Sequence, residues 1–340
     1  MIETQKNGRI RIQDVADAAG VSRTAVYAVL NRGKDINTGV SEALRTKIQE
    51  TIRRLGYIPN NSARSLVSGR TCNIGIMLPD YLLSEDFAEV FNRNGYMIFP
   101  LIHKGDPELE RRGIELLVSR GVDAIVIART SPGNNLDLLQ RVIAHGITLI
   151  IIAEEREGFA ESRHIIFDEH KAMALLVSFL LEHGMRRFAL QTDADTYPKR
   201  TRLQYAAEAI RQRKNTEIFE WPNVCSREVA LKIAENIKRM PPDKRPQAMI
   251  AVGDLLAWLM IDALRIAGLR VPQDIQVTGI GNDSDRYHLT SLTTIELSSR
   301  QLAAYCRQSF DDAMNHRPKR LYVVEPKLIV RESAPGFITQ

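Results

Sequence analysis

Residues 12–31, IQDVADAAGVSRTAVYAVLN, hold two short helical patterns of apolar positions separated by Gly20. In the first, Val15, Ala16 and Ala19 fall at the i, i+1, i+4 spacing of a buried helix face. In the second, Ala25, Val26, Val29 and Leu30 share one face, and Arg23, Thr24, Tyr27, Ala28 and Asn31 share the other. Ser22 can cap that second helix, because its hydroxyl oxygen accepts a backbone N–H one turn on. A longer pattern, EALRTKIQETIRRL, follows Ser41 as N-cap and carries the stripe Leu44, Ile48, Ile52 and Leu55. It ends at Gly56, where a left-handed C-terminal cap belongs. A helix, a tight glycine turn and a second helix with a donor-bearing outer face form the helix-turn-helix pattern. Any small helical hairpin can share it, so the pattern needs support from elsewhere in the chain.

From Cys72 onward the period changes. Short apolar, β-branched runs predict strands at Asn73–Leu78, Met97–Ile102, Ala124–Ala128, Thr148–Ala153, His164–Phe167, Arg187–Gln191, Glu217–Trp221, Ala248–Val252 and Ile275–Ile280. Helical stretches alternate with them at Glu108–Arg120, Asn135–His145, Lys171–His183, Thr201–Arg213, Ser226–Arg239 and Leu255–Ala267. Alternation of this kind predicts an α/β region of parallel, doubly wound sheets. So many strands exceed one comfortable sheet and point to two lobes, with a ligand site in the cleft at the carboxyl ends of the strands.

Charge sharpens the picture. The chain of 340 residues has a formal net charge of +5, yet residues 1–71 hold 12 basic against 6 acidic side chains, and the remainder is close to neutral. A positive excess confined to the first fifth of the chain suits a polyanion partner, bound through phosphate contacts and counterion release. Three cysteines, Cys72, Cys225 and Cys306, lie far apart with no metal-ligand spacing, which favours reduced core thiols in a cytoplasmic protein. The N-terminal segment has no apolar signal-peptide core, and no apolar run is long enough to cross a bilayer. Catalysis has little support. Gly279-Ile280-Gly281 lacks the third glycine of a dinucleotide fingerprint, Ser284 standing in its place, and His164 and His170 are wrongly spaced for a shared metal. The runs Asp283–Asp285 and Glu154-Glu155 read more simply as solvated loops. No catalytic residue, cofactor or metal is expected.

The segments DVADAAGVS…VLN, then GYIPN and ARSL, in this order and spacing, resemble the LacI/GalR family of bacterial transcriptional regulators. The resemblance covers the whole chain and thins in its middle. It implies a helix-turn-helix domain at 1–59, a hinge helix and linker at 60–71, and a periplasmic-binding-protein-like core at 72–340. The core's N-lobe would comprise about 72–167 and 295–325, and its C-lobe about 168–294 and 326–340, with passages between them near Asp168, Asp285–Thr294 and Glu325–Pro326. It also implies a homodimer on a near-palindromic double-stranded operator, a small-molecule effector of the sugar or sugar-derivative class, and no membrane association. Major-groove contacts would come from Ser22, Arg23, Thr24, Tyr27, Ala28 and Asn31, and minor-groove contacts from Asn60, Ala63, Arg64 and Leu66. Eight residues, 61–68, are too few for a stable isolated helix, for which roughly 12–15 is the margin, so this segment should fold only against its partner. In the family a leucine there wedges between base pairs, and the matching residue is Leu66. Leu66→Ala should therefore lower operator affinity and DNA bending while leaving the core's melting temperature unchanged. Bend angle and affinity measured together check this.

Departures from the family pattern are informative. Tyr27 and Ala28 replace the usual Ser and Arg of the recognition helix, so the operator should differ from those of well-known members. Arg32 and Lys34 enlarge the following turn as phosphate contacts or as a solvated loop. In the cleft, Arg202 and Trp221 match family anchors for a ligand hydroxyl or carboxylate and for a sugar ring, and Asp254, Asp283 and Asp168 complete the expected effector set. Other anchors are altered: Gly253 stands for an asparagine, Gly281 for an aspartate, and Ala153 with Glu154 for another. Between Pro79 and Gly95 roughly ten residues are lacking, about three turns of helix. The reading is a repressor of a sugar or related metabolic operon. Two alternatives stay open: an effector-independent regulator with a degenerate cleft, and a cytosolic solute-binding module whose basic head meets RNA.

Overall fold

The structure is a computed structural model and describes residues 10–30, 40–58, 69–79, 84–131, 133–153, 162–192, 197–221, 224, 226–282 and 290–335. The chain divides into two units, Met1–Thr71 and Cys72–Gln340.

Among the described residues, the first unit holds the helices α1 (Ile12–Ala19), α2 (Arg23–Leu30) and α3 (Glu42–Leu55). Its core is Val15, Ala16 and Ala19 from α1, Val26 and Val29 from α2, and Ile48 from α3, all buried. These are apolar-face positions of the three patterns. Gly20 ends α1 at φ +66, and Gly56 ends α3 at φ +65. A Cβ at either would meet nothing within 4 Å, so the left-handed backbone, not space, selects glycine. The hydroxyl of Ser41 accepts from the Leu44 N–H at 3.4 Å and opens α3.

In the second unit the chain runs β1 (Asn73–Leu78), α4 (Glu85–Asn92), β2 (Met97–Ile102), α5 (Pro107–Ser119), β3 (Ala124–Ala128), α6 (Leu136–Ala144), β4 (Thr148–Ala153) and β5 (Arg163–Phe167). It continues through α7 (Glu169–Glu182), β6 (Arg187–Gln191), α8 (Tyr197–Arg211), β7 (Glu217–Glu220), α9 (Arg227–Arg239), β8 (Ala248–Ala251), α10 (Asp254–Ile266), β9 (Gln276–Gly281) and β10 (Thr293–Glu296). The helix α11 (Ser299–Met314) and the strands β11 (Tyr322–Val324) and β12 (Lys327–Ile329) close it. One sheet has the order β11-β5-β4-β3-β1-β2 and the other β12-β10-β9-β8-β6-β7. Among the described residues all pairings are parallel except β10 with β12. Central strands such as AIVIA and AMIA are buried along their whole length, because helices cover both faces of such sheets.

The chain passes between sheets three times: after Phe167, after Glu296 and between Val324 and Lys327. The second passage corrects the sequence expectation of 285–294. Residues 293–296 form β10 and still pair in register with β9, so the second lobe keeps this strand and the chain leaves it only afterwards. Among the described residues between Pro79 and Gly95, the eight-residue α4 buries Phe87 and Phe91 in the first lobe's core.

On β11, Tyr322 is buried and its hydroxyl donates to Asp312 Oδ2 at 2.9 Å. Burial, then this bond to a carboxylate, raises the phenol above its ordinary value of about 10. The stabilisation is complete below about pH 10 and disappears as pH rises through the higher folded-state value. Urea unfolding followed upward from about pH 9 should show this alkaline loss, and Tyr322→Phe should flatten it.

Candidate nucleic-acid interface and ligand cleft

On α2, burial of Val26 and Val29 turns the opposite face outward. Arg23 and Thr24 are exposed in the first turn, and Tyr27 and Ala28 are half-buried one turn later. Ser22 is exposed, and its hydroxyl accepts from the Ala25 N–H at 3.2 Å, which uses the oxygen as a cap. A guanidinium on an exposed first turn can offer paired donors to guanine O6 and N7, the commonest specific contact in the major groove. On α3, Lys47, Arg53 and Arg54 are exposed and supply sequence-independent positive charge. Asn31, Arg32 and Lys34, and the hinge residues Asn60, Ala63, Arg64 and Leu66, lie outside the described residues.

In each sheet of the second unit the strand order reverses at one point, between β1 and β3 and between β6 and β8. Ligand crevices of doubly wound sheets open at the carboxyl ends of the strands flanking such points. There the second lobe places Gln191 at the end of β6, Thr192 just after it, and Val252–Asp254 after β8. Gln191 is fully buried, and neither its amide nitrogen nor its oxygen has a partner among the described residues. Sequence reasoning missed it; the one signal was an amide directly after the apolar run Phe188–Leu190.

The expected ligand residues are placed as follows. The Arg202 guanidinium is buried and donates twice to the carboxylate of Glu169, from Nη2 at 2.6 Å and Nε at 2.9 Å, and from Nη1 to the Val252 carbonyl at 3.0 Å. Its charge is thus met within the second lobe, by a residue that no motif singled out. A buried guanidinium has to find such a partner, since an unpaired one costs several kcal/mol. Asp254 is also buried, at the first position of α10, and accepts from the Thr294 hydroxyl at 2.7 Å. A Cβ on Gly279 would stand 2.2 Å from that carboxylate, so a bare backbone is required there. Asp168 caps α7 by accepting from the Lys171 N–H at 2.9 Å. Trp221 is half-buried and lies nearly parallel to Phe219, with ring centroids 5.8 Å apart. Asp283 and Glu154 lie outside the described residues. Among the described residues no group of acidic, histidine or cysteine side chains could hold a metal ion, and no helix is long and apolar enough to cross a membrane.

Comparisons with known proteins agree with this arrangement. The model for bacterial regulatory proteins of the lacI family matches residues 11–60, and that for a periplasmic binding protein-like domain matches 177–334. The chain is similar to the HTH-type transcriptional repressor PurR of Aliivibrio fischeri (strain MJ11), 28% identical over 337 residues, covering 95% of this chain and 97% of that protein. It is 24% identical over 353 residues to the HTH-type transcriptional regulator DegA of Bacillus subtilis (strain 168), covering 96% and 99%. In fold it is similar to a Lac repressor dimer bound to operator and the anti-inducer ONPF, with a TM-score of 0.75 at 19% identity over 96% and 99% of the two chains.

Proposed function

The chain belongs to the lacI family of bacterial regulatory proteins and is a DNA-binding transcriptional regulator rather than an enzyme, and we propose that it works as a cytoplasmic, dimeric repressor of a sugar or related metabolic operon. The observation that carries this reading is the exposed Arg23–Thr24 turn of α2 in a unit holding the chain's positive excess. Two heads read the half-sites of a near-palindromic operator through Ser22, Arg23, Thr24, Tyr27, Ala28 and Asn31. Asn60, Ala63, Arg64 and Leu66 serve the minor groove between them. A small molecule of the sugar class in the interlobe cleft shifts the balance between two lobe arrangements and so the pairing of the hinges. In that cleft Trp221 supplies a stacking face, and the Arg202–Glu169 pair holds the rim at Val252. Arg202, Asp254, Asp168 and Asp283 remain the proposed polar anchors.

In vitro selection on random duplexes would yield the operator. Affinity for it should then fall steeply with salt, about one unit of log–log slope for each phosphate neutralised. A fragment starting at Cys72 should bind no duplex specifically. Tight binding by that fragment would overturn the assignment of residues 1–71 to DNA. A melting-temperature screen of sugars and sugar phosphates on the full chain separates an effector-responsive cleft from a degenerate one.

A further inference from the structure

At the amino-terminal edge of the first sheet, opposite the carboxyl ends that form the cleft, a pocket of about 480 Å³ opens between the starts of β4 and β5 and the end of α11. Its volume is in the range of small-molecule sites. Arg163, the first residue of β5, lines it and is only 6% exposed. One guanidinium nitrogen, Nη2, donates to the Arg317 carbonyl at 2.9 Å, while Nη1 is buried with no partner. Among the described residues no carboxylate pairs with this charge. Asp312, on α11, is taken by the Arg317 guanidinium at 3.2 Å and the Tyr322 hydroxyl at 2.9 Å. His316, Arg317 and Lys319 stand exposed on the same rim, and Ile147 contributes apolar wall.

We propose that this pocket is a second ligand site, separate from the interlobe cleft, for a small phosphate-bearing anion. A buried guanidinium without a counter-charge is unfavourable, and an anion held in the pocket that Arg163 lines lowers that cost. A cationic rim around a fixed, directional donor favours the doubly charged, multi-oxygen phosphate group over a neutral sugar. Apolar wall beside it takes the body of the molecule. The site also adjoins the start of the unit. Thr148, on the pocket wall, donates its N–H to the Asp123 carbonyl at 3.1 Å, and the Asp123 carboxylate accepts from the Cys72 N–H at 2.8 Å. Two hydrogen bonds thus link the pocket to the residue at which the chain enters the unit.

The test uses the full chain, inorganic phosphate and glycerol 3-phosphate, with chloride and free glycerol at matched ionic strength as controls. Melting temperature and calorimetric titration should show saturable binding of both phosphates and none of the controls. Arg163→Gln should weaken both by about tenfold or more, the loss expected of one charge-assisted contact, without lowering the melting temperature in phosphate-free buffer. Lys319→Glu, at an exposed position on the rim, should weaken them in the same direction. No saturable response in the native chain, or an unchanged response in both variants, would overturn the proposal. If Arg163→Gln instead leaves phosphate binding alone and reduces the salt slope of duplex binding by about one, the guanidinium serves the DNA backbone and the small-molecule site is wrong.

Discussion

Replacing Glu169 with alanine should destabilise the second unit by about 3–5 kcal/mol, because the buried Arg202 guanidinium then loses the carboxylate that accepts two of its hydrogen bonds. The pair is nearly inaccessible, with side-chain exposures of 6% and 2%, so water cannot take over the lost contacts. Both Nε and Nη2 lose their acceptor, while the bond from Nη1 to the Val252 carbonyl survives and holds the charge in place. Glu169→Gln, which keeps an acceptor but removes the charge, should cost less. Changing both residues together, to Leu and Met, should recover most of the stability, since a buried pair often contributes little over a well-packed apolar substitute. The only two tryptophans, Trp221 and Trp258, lie in this unit, so urea unfolding followed by fluorescence reports on it directly. A loss below about 1 kcal/mol for Glu169→Ala would mean that the site relaxes and admits water. Operator binding by Glu169→Ala under native conditions should remain, since the head has its own core.

Arg23→Ala should have the second large effect, on recognition instead of folding. One bidentate contact to guanine discriminates by about 1–3 kcal/mol, and two half-sites in a dimer make that roughly 2–6 kcal/mol per operator. Because Arg23 is exposed, folding stability should stay within about 0.5 kcal/mol of the native value. Comparison of the selected operator with a random duplex decides the role. Specific affinity should fall and preference at one base pair per half-site should relax, while non-specific binding barely changes. Equal losses on both duplexes would make Arg23 a phosphate contact.

Much of the fold was legible from local pattern. Continuous apolar runs such as NIGIML, AIVIA and TLIIIA gave β1, β3 and β4 with their ends, since strands buried on both faces allow no polar interruption. Gly20 and Gly56 marked helix ends because a positive φ is a local requirement. The apolar faces of α1 and α2 fixed by elimination which side chains remain outside, and the excess of positive charge in the first unit suggested what they meet. Each of these follows from a period or composition within a few turns of chain.

Contacts between distant segments were decided only in three dimensions. The strands β11 and β12 have three residues each, too short to show a period, and exist because Tyr322 lines up with Ile165, and Leu328 with Ile295. With β10 they moved the second passage between lobes beyond Glu296. Arg202 resembled a ligand residue in sequence, but Glu169, 33 positions away, meets its charge where α7 and α8 pack together. Asp254 likewise turns to Thr294, and Gly279 is glycine because that carboxylate comes so close. Arg163 looked like one more basic residue until the sheet buried it beside an open pocket with one nitrogen unpaired. Helical and strand periods are set by neighbours along the chain. The state of a buried charge is set by whatever the fold brings within about 3 Å of it, and no local pattern carries that information.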